Sequence, residues 1–213
     1  MTYLRIYLTA FAVASSAWSQ DVSHFRRAEI PRNESRLSEL SRVREFRCDY
    51  DLAHFIQGTL LIAEVFHDGK CVARYRLSRA KYDTAKKGKT GIISIGWQRD
   101  NHDLVSVHDN GDFYSPWVAS IHLPDFTPLD ACYFADSAPE KRKPDRDGKG
   151  YFDFDLYPVI GFCGPRTRKI RYPEKGDTQS FLDACRSGGA QDAVIIYLYF
   201  SPYDEEPALK FNE

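Results

Sequence analysis

The sequence predicts an all-β or β-dominated fold, an antiparallel β-sandwich of roughly eight to ten strands with two short helices. Three observations carry that prediction. The runs TLLIAEVF and CVARYRLS flank His67-Asp68-Gly69-Lys70, and Asp-Gly between such runs supplies the positive φ angles of a tight hairpin. Residues 91–123 alternate apolar with small or polar residues through GIISIGWQ and LVSVHD, and carry a second hairpin cue, Asn110-Gly111, before FYSPWVASIHL. The composition agrees, since 14 Phe and 13 Tyr against a single Met suit sheets better than helical bundles.

Residues 1–19 hold one Arg, no acid, an apolar middle about a dozen residues long, and small residues at Ala17 and Ser19. That is the pattern of a secretory signal peptide cut near Ser19 or Gln20. Its apolar run falls short of the ~20 residues that cross a bilayer, and no later stretch is longer. The expectation is a secreted or periplasmic protein with no integral membrane segment after cleavage. No Cys follows the apolar run to take a lipid anchor. Losing Arg5 and no acid moves the net charge from −1 to −2 with all six His retained. So balanced a chain disfavours a nucleic-acid partner. The remaining residues, about 190, suit one domain. Residues 20–43 read as an extended leader and short helix, and 44–213 as a single β-rich globular domain.

Asn33 is a candidate cap for the first helix, with Glu34 in its first turn and Leu37, Leu40 and Val43 along one side. Phe46, Cys48, Tyr50 and Leu52 then alternate with Arg47, Asp49 and Asp51, a half-buried strand. The Asp68-Gly69 hairpin follows, and 81–90 is a lysine-rich solvated loop. In 91–123, Ile93, Ile95 and Trp97 form one face of a strand, Val105 and Val107 one face of the next, and both sets are expected to point into the core. Prolines at 124, 128 and 139 leave 124–139 without an assignment. The stretch EKRKPDRDGKG, 140–150, reads as an exposed mobile loop. Phe152, Phe154 and Leu156 alternate with Tyr151, Asp153 and Asp155 as a strand with one wet face, and RTRKIR at 166–171 as a charged edge strand. Asp177 or Thr178 caps a second helix whose Phe181, Leu182 and Cys185 share a side and which Gly188-Gly189 ends. The run AVIIYLYF is apolar on both faces, the mark of a central covered strand, and Pro202 stops it.

The five cysteines lack any C-x-x-C spacing, which argues against zinc-ribbon and thioredoxin chemistry. In an oxidising compartment they allow up to two disulfides with one thiol left over, and burial as small apolar residues is the equal alternative. Were the first three strands neighbours in one sheet, Cys48 and Cys71 would stand about 9.6 Å apart, beyond the ~7 Å Cα limit of a disulfide.

Candidate site residues fall in two places. A two-residue Asn110-Gly111 turn would set Asp109 opposite Asp112 and His108 opposite Phe113, and facing carboxylates invite a cation. With Trp117, placed near a strand start and suited to stacking on a sugar ring, His108, Asp109 and Asp112 form a candidate ligand-binding set. Asp145, Asp147 and Asp153 stand at the first, third and ninth places of a D-x-D-x-x-G loop, so calcium is the one ion the pattern suggests. Lys149 and Leu156 stand where further oxygen ligands are needed, so a charged surface turn with no cofactor is the favoured reading and calcium the alternative. The histidines show no HExxH or His-x-His spacing, although His102, His108 and His122 fall on adjoining segments. No catalytic motif is present. These features imply an exported non-enzymatic β-sandwich module binding carbohydrate or protein through loops at one end. The alternative is an exported hydrolase, acting on glycans, that uses loop carboxylates around 102–112 and 145–155.

Overall fold

The computed structural model describes residues 22–28, 43–52, 58–81, 89–98, 103–109, 117–122, 130–134, 139–145, 153–172, 177–201 and 207–212. These residues are mostly β with one helix. In chain order the strands are β1 (Val22–Ala28), β2 (Val43–Leu52), β3 (Gly58–His67), β4 (Lys70–Lys81), β5 (Lys89–Gln98), β6 (Asp103–Asp109), β7 (Trp117–His122), β8 (Asp130–Tyr133), β9 (Glu140–Arg142), β10 (Phe154–Cys163) and β11 (Asp192–Ser201), with α1 (Thr178–Ser187) before the last. A five-stranded antiparallel sheet has the order β1-β2-β5-β6-β7, and a six-stranded one has the order β4-β3-β11-β10-β8 with β9 added to β10. Residues of β4 come within 8 Å, Cα to Cα, of β6 and β7.

The β3–β4 hairpin forms as its turn chemistry dictates. Asp68 and Gly69 have φ of 49° and 77°, the pair of left-handed residues that a type I′ turn requires. Two irregularities leave Val72 and Leu77 as extra residues on β4. Val72 is consequently the exposed large apolar side chain of this sheet, 59% accessible, at a bulge on an edge strand. Strand β11 lies centrally between β3 and β10, as its two-sided apolar run implies. Its alternate residues Ala193, Ile195, Tyr197 and Tyr199 join Phe181, Leu182 and Cys185 of α1 in one core. Val194, Ile196, Leu198 and Phe200 lie on the opposite face and are buried as well.

Helix α1 is positioned by its cap and by one glycine of β10. Ser180 N–H donates to Asp177 Oδ1 at 2.7 Å. Gly161 sits beneath the helix, where an added Cβ would come within 2.7 Å of the Phe181 ring. The Ser180 hydrogen bonds hold the Asp177 carboxyl below its usual range. Asp177→Ala is expected to cost about 1 kcal/mol in urea denaturation at neutral pH. A lowered folded pKa stabilises above the unfolded value of about 3.9 and is lost as pH falls through the folded one, so wild type and variant should converge in acid.

Several sequence expectations change. The first helix lies outside the described residues apart from Val43, which opens β2. Val22–Ala28, within the expected leader, is an edge strand hydrogen-bonded to β2. Strand β2 belongs to the other sheet from β3 and β4, so the argument that separated Cys48 from Cys71 by strand spacing loses its premise. Ile93, Ile95 and Trp97 pair with His108, Ser106 and Leu104, whereas Val105 and Val107 pair with Gly96 and Ser94. The two apolar sets therefore stand on alternate rows of the ladder and cannot share one face. Residues 130–133, left unassigned, form β8. Glu140–Arg142 is a strand and not part of a mobile loop, because Lys141 and its neighbours pair with β10. Residues 166–171 are not a strand. Pro165 lacks an N–H to extend β10, and Thr167 and Arg168 N–H donate instead to Gly188 O at the helix end.

Candidate functional site

The polar groups that the described chain gathers most closely lie on the helix side of the six-stranded sheet. Glu64 is the one charge in TLLIAEVF, and strand alternation sends it to the same side as Ile62 and Phe66, where it has no exposure to solvent. A buried carboxylate needs partners, and two arginines supply them. Arg74, directly across on β4, donates through Nε to Glu64 Oε1 at 2.7 Å. Arg142 on β9 reaches Glu64 Oε2 at 3.1 Å and Glu140 Oε2 at 2.9 Å. Arg142 also donates to the Tyr197 hydroxyl at 2.9 Å, and Thr178 at the start of α1 donates to Glu140.

The network continues into the C-terminal segment. Arg74 pairs with Asp145, whose Oδ2 also accepts from Lys210 N–H at 3.1 Å. Burial works against the Asp145 carboxylate, but the Lys210 N–H and the Arg74 guanidinium outweigh it and hold the carboxyl below its usual range. Asn212 satisfies the outward backbone of Arg74 on both counts. Its Oδ1 accepts from Arg74 N–H at 2.8 Å, and its own N–H donates to Arg74 O at 2.7 Å. Phe211 lies under the Arg76 guanidinium at 4.9 Å. The last residues thus cover part of the β4 edge that would otherwise present open hydrogen-bonding groups.

Chemically the arrangement is closed except at Arg142 Nε, which is buried without a hydrogen-bond partner among the described residues. Burial first, then the Glu64 and Glu140 carboxylates, push the Tyr197 phenol well above its usual range, so it remains a neutral donor. Each Glu64 oxygen is engaged by a guanidinium. The network binds β3, β4, β9, β11 and the C-terminal segment together. Sequence reasoning missed it. The available signal was a lone Glu inside an apolar strand, which demands a cation that strand pairing alone could have located on β4.

A second polar group lies at the hairpin tip. His67 Nδ1 is 2.8 Å from Asp192 Oδ1, and Nε2 is 3.6 Å from Asp68. The Asp192 hydrogen bond raises the His67 pKa above the ordinary 6.5. A raised folded value stabilises below the unfolded pKa and is lost as pH rises through the folded one. An NMR titration should place the His67 midpoint above 6.5, and Asp192→Asn should return it toward 6.5.

The sequence-selected residues fare unevenly. His108 pairs with Trp117 across β6 and β7, four residues further along than a two-residue Asn110-Gly111 turn would allow. Pro116 has no N–H to add to the ladder, and β7 begins just after it. The opposition of Asp109 to Asp112, and of His108 to Phe113, therefore does not follow; Asp109 pairs with Ile92 on its other side, and Asp112 lies outside the described residues. His108 and Trp117 are brought together at the end of the ladder, with Asp109 the next residue. His122 pairs with Asp103 at the far end, about 17 Å along the strand from the His108 row, so these two histidines do not converge. His102 is outside the described residues.

In the calcium-like loop, Asp145 is committed to Arg74 and Lys210, Asp153 is exposed just before β10, and Asp147 lies outside the described residues. No group of three potential metal ligands occurs among the described residues, and no helix among them is long and apolar enough to cross a membrane. No protein-family model matches the chain, and neither a curated protein nor a solved structure is significantly similar to it.

Proposed function

We propose that the chain is an exported, non-enzymatic β-sandwich module that binds carbohydrate or a protein ligand at the β6–β7 end of its five-stranded sheet. The observation that carries this reading is the pairing of His108 with Trp117, beside Asp109, where β6 and β7 meet the connection 110–116. His108 and Trp117 hold paired positions on one face of the ladder and Asp109, by strand alternation, a position on the other, and Trp and His are residue types that suit stacking on a sugar ring and hydrogen bonding to its hydroxyls. Support for export comes from the composition of residues 1–19. Support for a face-to-face sandwich comes from the second sheet. Val194, Ile196, Leu198, Phe162 and Leu61 are buried on the side away from α1, and a covering layer is needed there. The five-stranded sheet, whose β6 and β7 approach β4, is the available layer.

The hydrolase alternative draws less support. It needs two uncommitted carboxylates across a cleft, and Asp145 already serves Arg74. A glycan array with the full chain, followed by titration of any hit, separates the two. Saturable binding without turnover, weakened at least tenfold (about 1.4 kcal/mol) by Trp117→Ala or by His108→Ala with Asp109→Ala, is the expected result. Release of new reducing ends would instead establish the hydrolase. Binding indifferent to these substitutions would move the site elsewhere.

A further inference from the structure

The run Arg166-Thr167-Arg168-Lys169-Ile170-Arg171 carries four cations, and no acid occurs anywhere in residues 162–173. The fold holds this run against the end of α1. Gly164 N–H donates to Asp192 O as the chain leaves β10, and Thr167 and Arg168 N–H both donate to Gly188 O at 3.0 Å. The Thr167 hydroxyl donates to the same oxygen at 3.3 Å. Ile170 is buried in one cluster with Phe181, Leu182 and Cys185 of α1. Such close docking needs the two glycines that end the helix, because a Cβ at Gly188 would run into Ile170 and one at Gly189 into Thr167. With the middle of the run pinned, Arg168, Lys169 and Arg171 stand exposed. Asp183 and Asp192, the acids on either side of the Gly188-Gly189 turn, are paired with Arg186 and His67. Arg186 also serves the negative end of the α1 dipole from the last helical turn.

We infer that residues 166–171 form a binding surface for an acidic polysaccharide, whose carboxylates or sulfates engage Arg168, Lys169 and Arg171. Like charges held on a fixed backbone repel one another and attract a polyanion, and the fixed backbone spares part of the ordering cost of binding. A guanidinium takes such an oxyanion through two parallel N–H···O bonds, and an ammonium takes it as a point charge. Arg168 and Arg171 lie within ~11 Å of each other along the chain, so neighbouring anionic groups of one polymer can reach all three cations. The surroundings favour polysaccharide over two other polyanions. A basic segment that docks on lipid presents apolar side chains beside its charges, whereas Ile170 is turned into the core. Single-stranded nucleic acid is held by exposed aromatics on which bases stack, whereas Tyr172 is stacked on Phe181. The surface belongs to the six-stranded sheet and its helix, and the His108–Trp117 ladder to the five-stranded sheet, so the two sites are separate. The polymer's extracellular source rests on the reading of the chain as exported, while the charge and shape of the surface do not.

Calorimetric titration of the full chain, at low and at high salt, tests this with four probes: heparin, polygalacturonate, single-stranded DNA, and vesicles of phosphatidylglycerol with phosphatidylcholine. Saturable binding of heparin, polygalacturonate or both is expected, weakening as salt rises. Heparin alone would identify sulfate as the recognised group, and polygalacturonate alone would identify carboxylate. Arg168→Gln, Lys169→Gln and Arg171→Gln together should weaken binding roughly tenfold or more. Lys141→Gln, Lys143→Gln and Lys210→Gln together remove the same charge from exposed positions elsewhere, and should change it less than about twofold. All six side chains are exposed, so both variants should melt with the wild type. Equal losses in the two variants, no binding of either polysaccharide, or tighter binding of DNA or vesicles than of both polysaccharides overturns the inference. Heparin binding that persists in Trp117→Ala supports a separate surface. A chain that binds heparin through this loop but no neutral glycan through Trp117 would leave the surface standing and refute the site at the β6–β7 end.

Discussion

Glu64→Ala is expected to destabilise the protein by about 3–5 kcal/mol, read from urea denaturation with an unchanged m-value. The cost arises less from the lost ion pairs than from what remains. Arg74 and Arg142 keep their charges beside buried apolar residues, lose the fully buried carboxylate they share, and are left with one more exposed partner each, Asp145 and Glu140. Glu64→Gln, which keeps the shape and one acceptor oxygen, should fall between Ala and wild type. Replacing Glu64, Arg74 and Arg142 together by apolar residues of similar volume should recover part of the loss, because it removes the buried charges together and leaves only the part-exposed carboxylates Glu140 and Asp145 to turn to solvent. If Glu64→Ala cost under 1 kcal/mol, the network would be decoration on a core held by other means. The single substitution should also loosen the C-terminal segment, since Arg74 is shared between Glu64 and Asp145. Faster amide exchange at Lys210 and Asn212 would show it.

Phe181→Ala is expected to cost about 3–5 kcal/mol. Phe181 is fully buried and its ring lies edge-on to Phe134 at 5.4 Å and stacked with Tyr172 at 5.5 Å. It also fills the space that Gly161 leaves open on β10, so its removal empties a site that the backbone has already been cleared to admit. Partial collapse around Phe134 and Tyr172 sets where in that range the value falls. Phe181→Leu, which retains most of the volume, should cost less than half as much. A loss for Phe181→Ala no larger than for a surface residue of α1, such as Gln179→Ala, would mean that the helix is not docked through this ring.

Local chemistry was legible wherever a short stretch decides its own conformation. Asp68-Gly69 could form only a tight turn between its flanking apolar runs, and the hairpin follows. Asp177, the 181/182/185 stripe and Gly188-Gly189 specify α1 from cap to stop, and AVIIYLYF specifies a covered strand. These depend on backbone sterics, capping hydrogen bonds and the two-residue period of a strand, all of which act within about ten residues.

What tertiary structure decided was pairing between distant segments. Asn110-Gly111 is a strong turn signal, yet the ladder runs His108 against Trp117, four residues past the register that a two-residue turn there would set. Arg142 and Asp145 lay in a stretch whose charge, proline and glycines read as an exposed mobile loop. They became partners of Glu64 and Arg74 only when β9 paired with β10 and the C-terminal residues crossed β4. By itself the sequence determined a β-rich chain with one well-capped helix before a buried last strand. The folded sheet determined which charges meet, since a buried group's partners are set by long-range strand order, and local pattern carries no record of it.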